Sequence, residues 1–142
     1  MEVSIRSILI PIGLKTSLSP LEFLDYLIPD KSGVEVTLMT VITLPSVTSL
    51  EQNEIEELDI VKESNKKLDE SAEILSRMGF KVRKKILYSR DVAEAIIEES
   101  IQNPYDLIIL IKRRKVPKFI GRSISKSVLP RIFKPILVLT ME

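Results

Sequence analysis

The chain has 142 residues, of which 44% are hydrophobic and 29% charged, a composition typical of one globular domain. It contains no cysteine and no histidine, which excludes disulfides, thiolate chemistry and histidine-based catalysis, and removes most zinc sites. The net charge is only +1, yet residues 112–134 carry basic charges alone. We expect a single domain over residues 1–142 in the cytoplasm, without membrane insertion, because no apolar run approaches the length of a membrane span.

Five stretches of the chain predict β-strands. Each is short and, except for the more polar third, strongly apolar and rich in branched side chains. Runs of this kind are typical of parallel strands that are covered on both faces. The predicted strands lie at about 4–12, 34–42, 81–88, 105–111 and 135–141.

Four helices are predicted between these strands. Most begin at a residue whose side chain can cap free backbone N–H groups, and two of these caps have a glutamate at the capping-box spacing. A glycine after the longest helix is typical of a C-terminal cap. The helices are expected from Ser19 (with Glu22), from about Glu54 to Met78 before Gly79, from Asp91 (with Glu94) to about Asn103, and from Ser123 or Ser125 to about Leu129.

The alternation of strands and helices predicts the fold class. It indicates an α/β protein with a doubly wound, five-stranded parallel sheet in the order 3-2-1-4-5 and helices on both faces. Ligands of such folds bind at the carboxyl ends of the strands where the strand order reverses, here between strands 1 and 4. Those ends are Pro11–Lys15 and Ile111–Ser123. The second is strongly basic and leads into a predicted helix N-terminus, which favours an anion.

The chain resembles the universal stress protein family over nearly its whole length. The resemblance rests on the succession of "ILIPIG", "VTLMTVI", "RDVAEAIIEESIQNPYDLIIL" and "GRSISKSVLPRIFKPILVLT". It implies an adenine nucleotide alpha hydrolase-like fold and a role in stress response. It also implies a homodimer that pairs the last strand, about Ile136 to Met141, across a two-fold axis.

The same resemblance implies a degenerate ATP site. ATP-binding members usually carry an aspartate at the end of strand 1, where this chain has Gly13. They also carry Gly-x2-Gly-x9-Gly-(Ser/Thr) after strand 4, and those glycines fall here on Ile111, Arg114 and Arg122. The candidate ligand-binding residues are Pro11, Gly13, Val41, Lys112, Arg114, Gly121, Arg122, Ser123 and Ser125.

Three functions compete at this stage. The first is a non-catalytic regulatory homodimer with weak or no ATP binding, no cofactor and room for a protein partner. The second is a protein that binds ATP or another phosphate compound through basic side chains in place of a glycine-rich loop.

The third function, an enzyme or a nucleic-acid-binding protein, is disfavoured. No acid stands at the end of strand 1 or strand 4 to hold Mg²⁺, so no catalytic or metal-binding residue is assigned. Nucleic-acid binding would need aromatic residues among the cations. Only Phe119 and Phe133 are near, and both are expected in the core. Glu98 and Glu99 are expected to be solvated.

Overall fold

The computed structural model describes residues 4–43, 50–113 and 128–141. Within these ranges the chain forms one sheet of five parallel strands in the order β3-β2-β1-β4-β5. The predicted order and strand direction are therefore confirmed. The strands are β1 (Ser7–Pro11), β2 (Glu35–Thr43), β3 (Lys81–Ser89), β4 (Leu107–Arg113) and β5 (Ile136–Met141).

The helices lie between the strands as the sequence predicts, with different bounds. A 3₁₀ helix continues directly into a short α-helix, and the longest helix begins four residues earlier than expected. No helix in the three described ranges is both long and apolar enough to cross a membrane. The helices are a 3₁₀ helix (Ser19–Phe23), α1 (Leu24–Leu27), α2 (Leu50–Met78), α3 (Val92–Gln102) and a 3₁₀ turn (Leu129–Arg131). The predicted start of the fourth helix, at Ser123 or Ser125, lies outside the described residues.

The predicted caps of α3 and α2 form only in part as expected. Asp91 caps α3 by accepting a bond of 3.1 Å from the backbone N–H of Glu94. The capping box is incomplete, because the Asp91 N–H donates to Ser89 Oγ and the Glu94 carboxylate pairs with Arg131. Gly79 follows α2 with a φ of +109°, a conformation that favours glycine and confirms the C-terminal cap.

The predicted capping box at the first helix is wrong. Ser19 is already the first residue of the 3₁₀ helix, and the N-cap is Leu18, whose side chain cannot accept a hydrogen bond. The proline at the next position still matches the prediction, since its fixed φ suits the first turn of a helix.

Two hydrophobic cores cover the two faces of the sheet. Successive residues of a strand point to opposite faces, so Ile8 and Ile10 join one core and Leu9 joins the other. Residues of the first two helical segments and of α2 complete the first core, which includes Leu21, Leu24, Leu68 and Leu75. Residues of α3 and of the segment after residue 127 complete the second, which includes Ile96, Ile97, Val128 and Ile132.

Glu99 is buried rather than solvated, contrary to the prediction. Its side chain is 5% exposed, and it binds Lys85 Nζ at 2.7 and 3.0 Å and the Tyr105 hydroxyl at 2.7 Å. Burial, together with the bond to Glu99, raises the pKa of Tyr105 to about 12. Because the carboxylate accepts bonds from both groups, it ties α3 to β3 and to the chain entering β4.

Phe133 also contradicts its prediction. Its side chain is 97% exposed just before β5, whereas the sequence suggested that it packs in the core. An exposed aromatic side chain of this size beside a sheet edge is a feature that a partner can cover. Phe119 lies outside the described residues.

Replacing Glu99 with alanine should lower the free energy of unfolding by about 2–3 kcal/mol, because Lys85 and the buried Tyr105 hydroxyl lose their shared acceptor. Urea denaturation followed by circular dichroism measures this change. Glu98→Ala, at the exposed neighbouring position, is the matched control and should change stability by less than about 0.5 kcal/mol. Equal effects of the two substitutions would contradict the role assigned to Glu99.

Candidate functional site

The carboxyl end of β1 is held firmly against β2. The Ile12 N–H donates to the Met39 carbonyl at 2.7 Å, and Thr40 Oγ1 donates to the Ile12 carbonyl at 2.8 Å. Ile12 and Thr40 are both buried. Both polar groups of the Ile12 backbone are therefore satisfied by β2, and the chain leaves the sheet at Gly13.

A tight turn from Gly13 to Thr16 follows. The Thr16 N–H donates to the Gly13 carbonyl at 3.1 Å, and the Gly13 N–H donates to Thr16 Oγ1 at 2.8 Å. Gly13 does not have a positive φ, and a Cβ added there would meet Thr16 Oγ1 at 3.4 Å, an ordinary contact. The backbone therefore does not require glycine at this position. An aspartate at position 13 would place a charged carboxylate at the end of β1. This chain instead has the neutral Thr16 hydroxyl beside that end.

A cavity of about 520 Å³ opens at this edge of the sheet. Its size is within the range of small-molecule sites. The cavity lies at the carboxyl ends of β1, β2 and β4 and is closed on one side by α2, which places it at the predicted switch point. The described lining residues are Gly13, Leu14, Lys15, Thr16, Ser17, Thr40, Val41, Ile42, Thr43, Ile60, Ser64, Ile111 and Lys112.

The lining combines apolar walls with hydroxyl groups and two ammonium groups. None of these described lining residues carries a carboxylate. No cluster of acidic side chains suited to a metal ion occurs within residues 4–43, 50–113 and 128–141. The cavity can therefore offer hydrogen bonds and positive charge to a ligand, and apolar contacts from Val41, Ile60 and Ile111 to its body.

Lys112 is the predicted basic residue that reaches the cavity. It is the penultimate residue of β4, its side chain is half-buried, and it forms no ion pair with another residue of the described chain. A partly desolvated ammonium group without a counter-charge favours the approach of an anion. Lys112 therefore supplies positive charge to the cavity wall.

The structure brings together part of the predicted site. Gly13, Val41 and Lys112 line the cavity, whereas Pro11 ends β1 just before it and is not a lining residue. Arg114, Gly121, Arg122, Ser123 and Ser125 lie outside the described residues.

Most of the lining residues were not among the predicted site residues, and Thr16 and Ser64 are two polar ones among those missed. Thr16 lies in a short loop without a recognisable motif. Ser64 had a usable signal, because it stands where the apolar stripe of α2 would place a hydrophobic residue between Val61 and Leu68. It is 1% exposed, and its Oγ has no hydrogen-bond partner in the described part of the chain.

The chain matches one protein family along almost its full length. The family model described as the universal stress protein family matches residues 4–140. No curated protein has a significant sequence match to the chain.

Solved structures share its fold at low sequence identity. Hypothetical protein MJ0577 is 20% identical, with a TM-score of 0.76 and 99% of each chain covered. The universal stress protein from Archaeoglobus fulgidus, solved in complex with dAMP, is 16% identical with a TM-score of 0.67, and the match covers 93% of this chain and 95% of that one. A family protein from Arabidopsis thaliana with AMP bound is 11% identical with a TM-score of 0.63, covering 95% and 92%.

Replacing Thr16 with valine should open the turn at Gly13, because valine keeps the shape of threonine but cannot accept the Gly13 N–H. We expect amide hydrogen exchange at Gly13 to become faster by about tenfold, equivalent to roughly 1.4 kcal/mol, the order of one hydrogen bond. Thr16→Ser keeps the hydroxyl and is the matched control. The assigned bond would be contradicted by equal exchange rates in Thr16→Val and the wild type.

Proposed function

Because the chain belongs to the universal stress protein family, we propose that it is a non-catalytic regulatory protein that binds a phosphate-containing small molecule and binds ATP weakly. One observation carries this proposal. The cavity at the switch point has no carboxylate among its described lining residues, and it contains the half-buried ammonium group of Lys112, which forms no ion pair within the described part of the chain. Two structurally similar proteins, solved with dAMP and with AMP, support a nucleotide as one candidate ligand.

The apolar and polar parts of the lining suit different parts of such a ligand. Val41, Ile60 and Ile111 can contact a planar or apolar body. Lys112 can bind an oxygen of a phosphate group, an interaction that is stronger than a neutral hydrogen bond. This arrangement uses a side chain for a phosphate contact that a glycine-rich loop would make through its backbone.

Weak ATP binding is expected from the residues that stand where ATP-binding family members carry an aspartate and their first glycine. At the end of β1, Gly13 provides no carboxylate to accept bonds from a ribose, and the neighbouring Thr16 hydroxyl is already an acceptor for Gly13 N–H. Near the carboxyl end of β4, Ile111 stands at the first glycine position and lines the cavity, so its side chain occupies space that a glycine would leave to a phosphate chain.

We include the absence of catalysis in the proposal because the described lining of the cavity lacks the side chains that catalysis would need. A phosphoryl-transfer site needs acidic side chains to bind Mg²⁺ and to position a nucleophile. The described lining offers hydroxyls and amines only, and the whole chain has no histidine or cysteine. A binding role is therefore better supported than an enzymatic one.

We further propose that the protein forms a homodimer through β5. This strand lies at one end of the sheet, next to β4 alone, and is apolar along most of its length. An apolar edge strand tends to pair with another chain, and a two-fold axis would continue the sheet across both protomers. The exposed Phe133 beside β5 supports burial of this edge.

Replacing Lys112 with methionine should weaken pyrophosphate binding about fivefold at low salt, roughly 1 kcal/mol, as expected for one partly exposed charge pair. Lys66→Met is the matched control, since it makes the same change in net charge on an exposed part of α2 that does not line the cavity. Isothermal titration calorimetry with pyrophosphate and with ATP measures both. Micromolar ATP binding that persists at about 1 M salt, where charges are screened within ~3 Å, would contradict the proposed weak, charge-dependent binding. Binding of neither compound at low salt would contradict the proposed ligand-binding function and leave only the proposed dimer.

Replacing Thr140 with proline should dissociate the dimer without disturbing the protomer. The Ile108 N–H donates to the Pro135 carbonyl, so the alternation of a parallel ladder directs the N–H of Thr140 to the open edge. Proline removes that donor, whereas Thr140→Val retains it and is the control.

Val138→Lys should also give monomers, although Val138 partly packs on the second core. Sedimentation velocity should give twice the chain mass of 16.2 kDa for the wild type. A monomeric wild type at micromolar concentration would contradict the proposal.

A further inference from the structure

Two serines of α2 lie on the same buried face and behave differently. Ser64 and Ser71 are about two helical turns apart, and their exposed fractions are 1% and 0%. Ser71 Oγ donates to the Lys67 carbonyl at 2.7 Å, within its own helix. Ser64 Oγ has no partner in the described part of the chain, although the Ile60 carbonyl stands at the equivalent position. Ser64 lines the cavity, and Ser71 does not.

A buried hydroxyl without a partner is unfavourable, because it loses its bonds to water and gains none in return. Buried polar groups that lack a protein partner are uncommon, and binding of a ligand is one reason for which they are retained. The location of Ser64 in the cavity wall provides such a reason, and a core position such as that of Ser71 does not.

Ser64 and Lys112 come from different elements of the cavity wall. The helix that carries Ser64 packs on β2 and β3, whereas Lys112 is on β4, and β1 separates β2 from β4. β2 and β4 are two strand spacings, roughly 10 Å, apart, so a ligand that is bound by both side chains extends across the cavity. A ligand that reaches both must have an anionic end and an uncharged, hydrogen-bonding end joined by a body that fits between Val41, Ile60 and Ile111.

We propose that Ser64 is a specificity-determining residue of this cavity, and that its hydroxyl binds the uncharged polar end of a nucleoside monophosphate-like ligand while Lys112 binds the phosphate. The inference rests on the proposed function. Because Ser64 Oγ has almost no accessible surface, the ligand reaches it after a rotation about χ1, a small change for a serine side chain. The hydroxyl can both donate and accept a hydrogen bond, so it recognises a hydroxyl, amino or carbonyl group.

The test uses the full chain with Ser64→Ala and its matched control Ser71→Ala, and AMP, adenosine and pyrophosphate as probes. Without a ligand, Ser64→Ala should raise the thermal midpoint of unfolding by about 3–5 °C, because the unsatisfied hydroxyl is removed.

In the binding measurement, calorimetry should show that Ser64→Ala weakens the affinity for AMP and for adenosine about fivefold to tenfold, the effect of one hydrogen bond. Pyrophosphate, which has no nucleoside part for Ser64 to bind, should bind equally to the wild type and Ser64→Ala. Ser71→Ala should bind all three probes like the wild type.

Three other results would overturn the role of Ser64 or the proposed function. A raised midpoint with unchanged AMP and adenosine affinity would overturn the role of Ser64 and leave the proposed function intact. A midpoint lower than that of Ser71→Ala would show that Ser64 has a partner within the protein, which also overturns the inference. If the wild type binds neither AMP nor pyrophosphate, the proposed function itself is wrong and the inference falls with it.

Discussion

The position of β1 is the constraint on which the cavity depends. The strand is bonded to β2 on one side and to β4 on the other, and Ile8, Leu9 and Ile10 fill both cores. Its amino end is fixed as well, because the Asp106 carboxylate accepts the N–H groups of Arg6 and Ser7 at 2.9 and 3.0 Å. With both ends held, the chain can leave the sheet only at Gly13, between the ends of β2 and β4. The crevice at that point is a consequence of the strand order, and side chains decide only what it binds.

The chemistry of the crevice follows from a few substitutions on this scaffold. Thr16 occupies the space beside Gly13 with a neutral hydroxyl, and Lys112 supplies a positive charge without a partner in the described chain. Under the proposed function, these groups favour an anionic ligand over one that presents many hydrogen-bond donors. The family scaffold is compatible with different ligands, because fold and ligand preference depend on different residues.

The buried polar groups of the protein fall into two physical classes. Glu99, Thr40 and Ser71 are satisfied by nearby protein groups. Glu99 joins α3 to the chain entering β4, Thr40 joins β2 to the residue after β1, and Ser71 bonds within α2. Ser64 is unsatisfied and lines the cavity. A satisfied group contributes to the stability of the fold, whereas an unsatisfied one lowers it. The two classes differ in hydrogen bonding and not in burial, since all four residues are almost fully buried.

The sequence by itself determined the architecture of this protein. The periods of apolar residues, the glycine after Met78 and the cap at Asp91 specify strands and helices through interactions between residues close in the chain, and their alternation selects the parallel sheet and its order. The strand order and the family resemblance pointed to Gly13, Val41 and Lys112, and the structure places these three residues in the wall of one cavity.

Only the tertiary structure decided the state of individual polar and aromatic side chains. Glu99 is buried because Lys85 and Tyr105 converge on it, Phe133 is exposed because the described chain leaves it uncovered, and Ser64 reaches the cavity because α2 crosses β2. Such outcomes depend on contacts between segments far apart in the chain. A local pattern shows which face of a helix is apolar, but it does not show which distant groups will meet that face, and the free energy of a buried polar group depends on those partners.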